Sequence, residues 1–150
     1  MSKLKPVEIL IVEDDPRDLE LAMRALKRAN LTNYIQVARD GAEAMDFIFC
    51  EGAHAERSIE NTPRVILLDL KLPLVDGIEV LKRVKSDERT KFIPVVMLTS
   101  SKEQSDIVES YRLGVNSYIV KPVNFEGFAK AVQDLGMYWL LLNQPPKVEE

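Results

Sequence analysis

Two four-residue apolar runs in this chain each stop at an acidic residue. Ile9-Leu10-Ile11-Val12 is followed by Glu13, Asp14 and Asp15, and Val65-Ile66-Leu67-Leu68 by Asp69. Runs this short, with no polar position inside them, read as parallel strands buried on both faces. In open α/β sheets the functional crevice lies at the carboxyl ends of the strands. The runs therefore bring Glu13, Asp14 and Asp69 to one edge of one sheet. Crowded carboxylates raise one another's pKa unless a cation neutralises them. An all-oxygen cluster suits a hard divalent ion, with Mg²⁺ the natural candidate.

Strand and helix signals alternate along the whole chain. Asp15 caps a first helix with Pro16 at its first position, and Leu19, Ala22, Met23 and Leu26 form its apolar face. Tyr34 to Val37 is a second strand. Asp40-Gly41 leads into a helix carrying Met45, Ile48 and Phe49. Glu51 to Pro63 is polar and reads as a surface loop, with His54 exposed in it. A third helix follows Asp76-Gly77, with Ile78, Leu81 and Val84 inward. Pro94 to Leu98 is the fourth strand. Ser101 and Gln104 fit a capping box for a fourth helix whose apolar face is Ile107, Val108 and Tyr111. Gly114 sits where a helix-ending glycine belongs. Ser117 to Val120 is the fifth strand, ended by Lys121-Pro122, and Asn124 opens a last helix that runs to about Leu142.

This pattern predicts one five-unit βα domain over residues 1–150, a doubly wound five-stranded parallel sheet with strand order 2-1-3-4-5 and helices on both faces. The last helix is extended, and no output domain is expected after it. Phe125, Phe128, Val132, Leu135, Trp139 and Leu142 form its core stripe, while Met137, Tyr138, Leu140 and Leu141 lie off the stripe. Apolar residues in excess of what one sheet face can cover point to a homodimer or kinase-docking surface.

Charge and composition narrow the function. A net charge of −4 gives no basic surface for nucleic acid. No apolar stretch approaches the roughly 20 residues needed to span a membrane, and the N-terminus lacks a secretory pattern, so a cytoplasmic location is expected. The single cysteine, Cys50, precludes an intrachain disulfide and reads as a buried, inert thiol.

Four strand ends carry chemistry: Glu13 with Asp14, then Asp69, Thr99 and Lys121. Each has a job if the reaction is phosphoryl transfer to a carboxylate. Asp69 would attack phosphorus as the ionised group. Mg²⁺ on Asp14 and Asp69 would shield the approach of two anions. Lys121 would neutralise a phosphoryl oxygen, and Thr99 would hydrogen-bond another.

Over roughly Val7 to Leu142 the chain resembles a response-regulator receiver domain. The resemblance rests on Val12-Glu13-Asp14-Asp15, Leu68-Asp69-Leu70, Pro73 with Asp76-Gly77, Leu98-Thr99-Ser100, Gly114-Val115-Asn116 and Lys121-Pro122, all in order at strand–helix spacing. It implies a flavodoxin-like fold and a two-component signalling protein, not a turnover enzyme, that catalyses only its own phosphorylation and dephosphorylation. It implies that Asp69 takes its phosphoryl group from a sensor histidine kinase. It further implies metal ligation by Asp14, Asp69 and the Lys71 backbone carbonyl, with Glu13 acting through water. Thr99 and Tyr118 are implied as a switching pair, and the peptide before Pro122 as cis. The Glu51–Pro63 loop and the ending Gly136 to Pro146 are similar to the small response regulators paired with cyanobacterial phytochrome kinases. That implies a phytochrome-type kinase as partner.

Three rivals stand beside this reading. A haloacid-dehalogenase-type phosphatase wants a second acid two residues after its aspartate, where this chain has Lys71. A flavin binder would not place Glu13-Asp14 at its phosphate loop. A phosphorylation-independent receiver-fold binding module would lose acidic or lysine positions, and none is lost. Neither Lys71 nor Ser101 is suited to orient a hydrolytic water, so a long-lived acyl phosphate is expected.

Overall fold

The structure, a computed structural model, describes residues 9–28, 35–59 and 61–121. Five parallel strands, β1 (Ile9–Val12), β2 (Ile35–Ala38), β3 (Val65–Leu68), β4 (Val95–Thr99) and β5 (Ser117–Val120), form one sheet in the order β2-β1-β3-β4-β5. This is the predicted order. The helices between them are α1 (Pro16–Arg28), α2 (Gly41–Ile48), α3 (Gly77–Ser86) and α4 (Gln104–Arg112). Every residue of β1, β3 and β4 is buried. Their side chains alternate between two cores, as a period of two demands. Leu10, Val12, Ile66, Leu68, Val95 and Met97 pack with α2 and α3 on one face. Ile9, Ile11, Val65, Leu67, Val96 and Leu98 pack with Ala22 and Leu26 of α1 on the other.

Local chemistry sets the helix ends. The Asp15 carboxylate accepts from the Arg17 and Asp18 amides at 2.8 and 3.3 Å, the predicted cap. Asp40 accepts from the Glu43 amide at 2.7 Å, while the Glu43 carboxylate accepts from the Arg39 amide at 2.9 Å. Gly114, at φ 104°, closes α4 with two bonds: its own amide reaches the Tyr111 carbonyl, and the Val115 amide reaches that of Ser110. That is the Schellman pattern.

Several expectations change. β2 and β4 each sit one residue later than the pattern indicated. The capping box fails: α4 starts at Gln104, and the Ser101 hydroxyl donates to the Asp106 carboxylate at 2.6 Å. The apolar face of α4 is also not a core face. Val108 and Tyr111 are 56% and 52% exposed, and only Ser110 of this helix is buried. The cause is position: α4 lies beside β5, the edge strand, whose residues are only half-buried. His54 is half-buried, not exposed, with its ring edge-on to Phe47 at 5.0 Å. Arg57 stacks over the same ring at 3.7 Å and donates to the carbonyls of Phe47 and Asn61, so the polar loop is pinned at its middle. Cys50 is half-buried, not buried, and burial raises its thiol pKa, which keeps it protonated and inert.

Pro122, Asn124 and the last-helix positions Met137, Tyr138, Leu140 and Leu141 lie outside the described residues. Among the described residues no helix is long and apolar enough to cross a membrane.

Candidate functional site

β1 and β3 pair in parallel with Val12 level with Leu68, so the residues that leave their carboxyl ends leave together. The Asp69 amide donates to the Val12 carbonyl at 3.1 Å, and the Glu13 amide to that of Ala38 at 3.0 Å. Carboxylate oxygens of Glu13, Asp14 and Asp69 consequently lie within 4.8 Å of one another. Glu13 is buried, Asp69 half-buried and Asp14 exposed, so the cluster opens to solvent on the Asp14 side.

Gly77 is what allows α3 to start against this edge. A Cβ there would sit 2.1 Å from the Asp69 carbonyl oxygen, and the Gly77 amide donates to the Leu70 carbonyl at 2.8 Å. Only a hydrogen in place of a side chain permits that approach.

Lys121 arrives from β5. Its amide donates to the Thr99 carbonyl at 2.6 Å, which aligns the ends of β4 and β5. Its Nζ lies 2.8 Å from Glu13 Oε1, 2.8 Å from Asp18 Oδ2 and 3.6 Å from Asp69 Oδ2. Burial works against the charged form, but the hydrogen bonds Lys121 donates to Asp18 and Glu13, with the charges of Asp69 and Glu13, together outweigh it and raise the ammonium pKa, so Lys121 stays protonated. Burial pushes Glu13 up to about 7; the Lys121 hydrogen bond opposes this and the neighbouring Asp69 charge adds to it.

Asp18 was missed by the sequence reading. An acid in the first turn of a helix looks like an ordinary dipole partner, and Asp15 already accounted for the cap. The available signal was that this short stretch holds more carboxylates than capping needs.

Thr99 is 1% exposed, and its Oγ1 accepts from the Ser101 amide at 3.3 Å. The Tyr118 hydroxyl donates to the Ser101 carbonyl at 3.1 Å. Thr99 and Tyr118, which the receiver resemblance pairs, thus hold the amide and the carbonyl of one residue, Ser101. Beside them is an open depression of about 500 Å³ lined by Lys71, Ser100, Ser101, Lys102 and Glu103.

The donor set fits a divalent cation. The carboxylates of Glu13, Asp18 and Asp69 share one ammonium, Asp14 groups with Glu13 and Asp69, and all are hard oxygen donors.

Residues 9–133 match the response regulator receiver domain. The chain belongs to the response-regulator receiver family. Receivers of this family are signalling proteins that act through phosphorylation, not classical enzymes. Among relatives, the probable methanogenesis regulatory protein FilR2 of Methanothrix harundinacea is 42% identical, covering 94% of this chain and 88% of its own. Response regulator Rcp1 of Synechocystis is 41% identical, covering 90% of each.

Three solved structures share the fold closely. The phosphorylated cyanobacterial phytochrome response regulator RcpA superposes with a TM-score of 0.83 at 39% identity, over 95% of this chain and 100% of that one. Rcp1 in its Mn²⁺-bound form gives 0.82 at 38%, over 94% and 99%. The bacteriophytochrome response regulator RtBRR gives 0.77 at 56%, over 95% and 85%. The receiver resemblance, its fold and its likeness to phytochrome response regulators are thereby established.

Proposed function

We propose that Asp69 is the phosphoacceptor, with Mg²⁺ as the working cation and a phytochrome-type sensor histidine kinase as the donor. One observation carries this reading: a single protonated lysine from β5 meets carboxylates from β1 and β3 at the sheet edge, 3.6 Å from Asp69. An Asp69 oxygen attacks the phosphorus of a phosphohistidine. The P–N bond breaks, the imidazole nitrogen leaves with the electron pair, and an acyl phosphate remains. Asp14, Asp69 and the Lys71 carbonyl would hold Mg²⁺, with Glu13 acting through water. The bound ion supplies positive charge to offset repulsion between two anions.

The chain's own groups do the rest. Lys121 offers an ammonium proton to a phosphoryl oxygen. The Thr99 hydroxyl offers another, and in turning toward it gives up its bond from the Ser101 amide. Tyr118 follows through the Ser101 carbonyl, a two-state element biased by a local charge. The phytochrome-type partner is supported by the likeness to the cyanobacterial phytochrome response regulator RcpA and the bacteriophytochrome response regulator RtBRR.

The chain acts as one receiver domain over residues 1–150. The off-stripe residues Met137, Tyr138, Leu140 and Leu141 serve as a homodimer or kinase-docking surface; a monomeric mass by sedimentation in both phosphorylation states would remove the homodimer version. Incubation with acetyl phosphate tests the central reading. Mass spectrometry should show one added phosphoryl group that requires Mg²⁺ and is lost in Asp69→Asn. No gain under any condition would transfer the function to phosphorylation-independent binding.

A further inference from the structure

We infer that Asp18 is a positioning residue that holds Lys121 back from the acceptor in the resting protein and is exchanged for a phosphoryl oxygen when Asp69 is modified. The inference rests on the reading of Asp69 and Lys121 given above. An ammonium has three protons to donate. Two are spent at 2.8 Å on Glu13 and Asp18, whereas Asp69 is at 3.6 Å, beyond a hydrogen bond. Lys121 therefore stands in ion-pair range of the group it is expected to serve while its hydrogen bonds go to other carboxylates.

The two anchors differ in how easily they let go. The Glu13 side chain is 7% exposed and that of Asp18 33%. Releasing Glu13 would strand a buried carboxylate, while Asp18 at the start of α1 returns to water at little cost. The small cavity that Glu13, Asp18, Asp69 and Lys121 share with the apolar side chains of Ile11, Ala22, Leu67 and Leu98 is about 10 Å³, too small for a phosphoryl group and marginal for one water. The ammonium cannot withdraw deeper, so its exchange must occur on the Asp18 side. One consequence is that phosphorylation frees a side chain in the first turn of α1, far in sequence from Thr99 and Tyr118.

The test is the Mg²⁺-dependent affinity for beryllofluoride, a phosphoryl analogue that binds an acceptor carboxylate oxygen. It is read by calorimetry on wild type, Asp18→Asn and Asp18→Ala. Removing the competing anchor should tighten binding by about two- to fivefold in Asp18→Ala, the range for an ion pair with one partly exposed member. Asp18→Asn keeps a neutral acceptor and should fall between. The gain should persist at about 1 M KCl, where fields beyond about 3 Å are screened.

Weaker or unchanged binding in Asp18→Ala would overturn the inference, because Lys121 would then have collapsed onto Asp69 or never been held. A gain that vanishes in high salt would also overturn it, reducing Asp18 to a distant negative charge. If wild type itself fails to bind beryllofluoride with Mg²⁺, the Asp69 reading fails instead.

Discussion

Replacing Lys121 by methionine keeps the side-chain volume nearly constant but deletes the only cation in contact with Glu13 among the described residues. Glu13 Oε1 loses its 2.8 Å partner, and its other oxygen keeps only the Asp15 amide at 3.2 Å. Leaving a buried charge unpaired costs about 3–5 kcal/mol. Glu13 can evade most of that by taking a proton. Its folded pKa is already raised from 4.5 to about 7, burial being the largest cause. Without Lys121 it rises further.

The sign follows from proton counting. A carboxyl whose folded pKa exceeds its unfolded value binds more protons when folded, so stability falls as pH rises through that interval. In wild type without metal, Glu13's share of the loss is complete a little above pH 7. In Lys121→Met it continues upward at about 1.4 kcal/mol per pH unit. Urea unfolding in EDTA should therefore find Lys121→Met destabilised by about 1 kcal/mol or less near pH 6 and about 2–3 kcal/mol near pH 8. Mg²⁺ should recover more stability in the variant than in wild type. Equal destabilisation at both pH values would refute the reasoning, since the lysine would then contribute packing alone.

Three other outcomes are expected. Lys85 is half-buried, with the carbonyls of Lys91 and Ile93 as its hydrogen-bond partners among the described residues, at 3.1 and 2.6 Å, and burial lowers its pKa from 10.5 to about 8. The unfolded chain thus binds more protons between those values, and Lys85 should add up to about 3 kcal/mol of stability as pH climbs from 8 to 10.5; the slope difference between wild type and Lys85→Met reads it. Gly77→Ala drives a methyl toward the Asp69 carbonyl and should cost about 1–3 kcal/mol by denaturant midpoint, together with weakened Mg²⁺ binding. With Lys71 exposed and the Ser101 hydroxyl tied to Asp106, neither orients a water, so the acyl phosphate should survive for minutes or more at room temperature; loss of the added mass within seconds would contradict this.

What the sequence made legible were features with a single physical solution. The apolar runs Ile9–Val12 and Val65–Leu68, each ending in an acid and spaced by helical pattern, read as strands covered on both faces, and β1 and β3 are that. The Pro16 and Gly114 signals constrain backbone angles directly, and both helix ends fall where those residues place them. The Glu13, Asp14, Asp69 and Lys121 constellation was readable because strand ends in a parallel sheet share an edge.

The misreadings have a common origin, in that they depend on which neighbour is present. Val108 and Tyr111 have helical spacing, yet β5 is an edge strand and offers α4 little to cover. Ser101 has the spacing of a cap, but its hydroxyl finds Asp106 instead of the Gln104 amide. His54 looked solvated because nothing nearby in sequence reveals the Phe47 ring. Asp18 became a site residue only through Lys121, 103 positions away.

The central claim is that the acyl phosphate forms on one carboxylate. Borohydride reduces an acyl phosphate to the alcohol with loss of phosphate, so a modified aspartate becomes homoserine, and peptide mass spectrometry then reads its position. After acetyl phosphate and Mg²⁺, the account predicts homoserine at position 69 alone. Homoserine at position 14 or 18, or none where the intact mass shows a phosphoryl group, would contradict it.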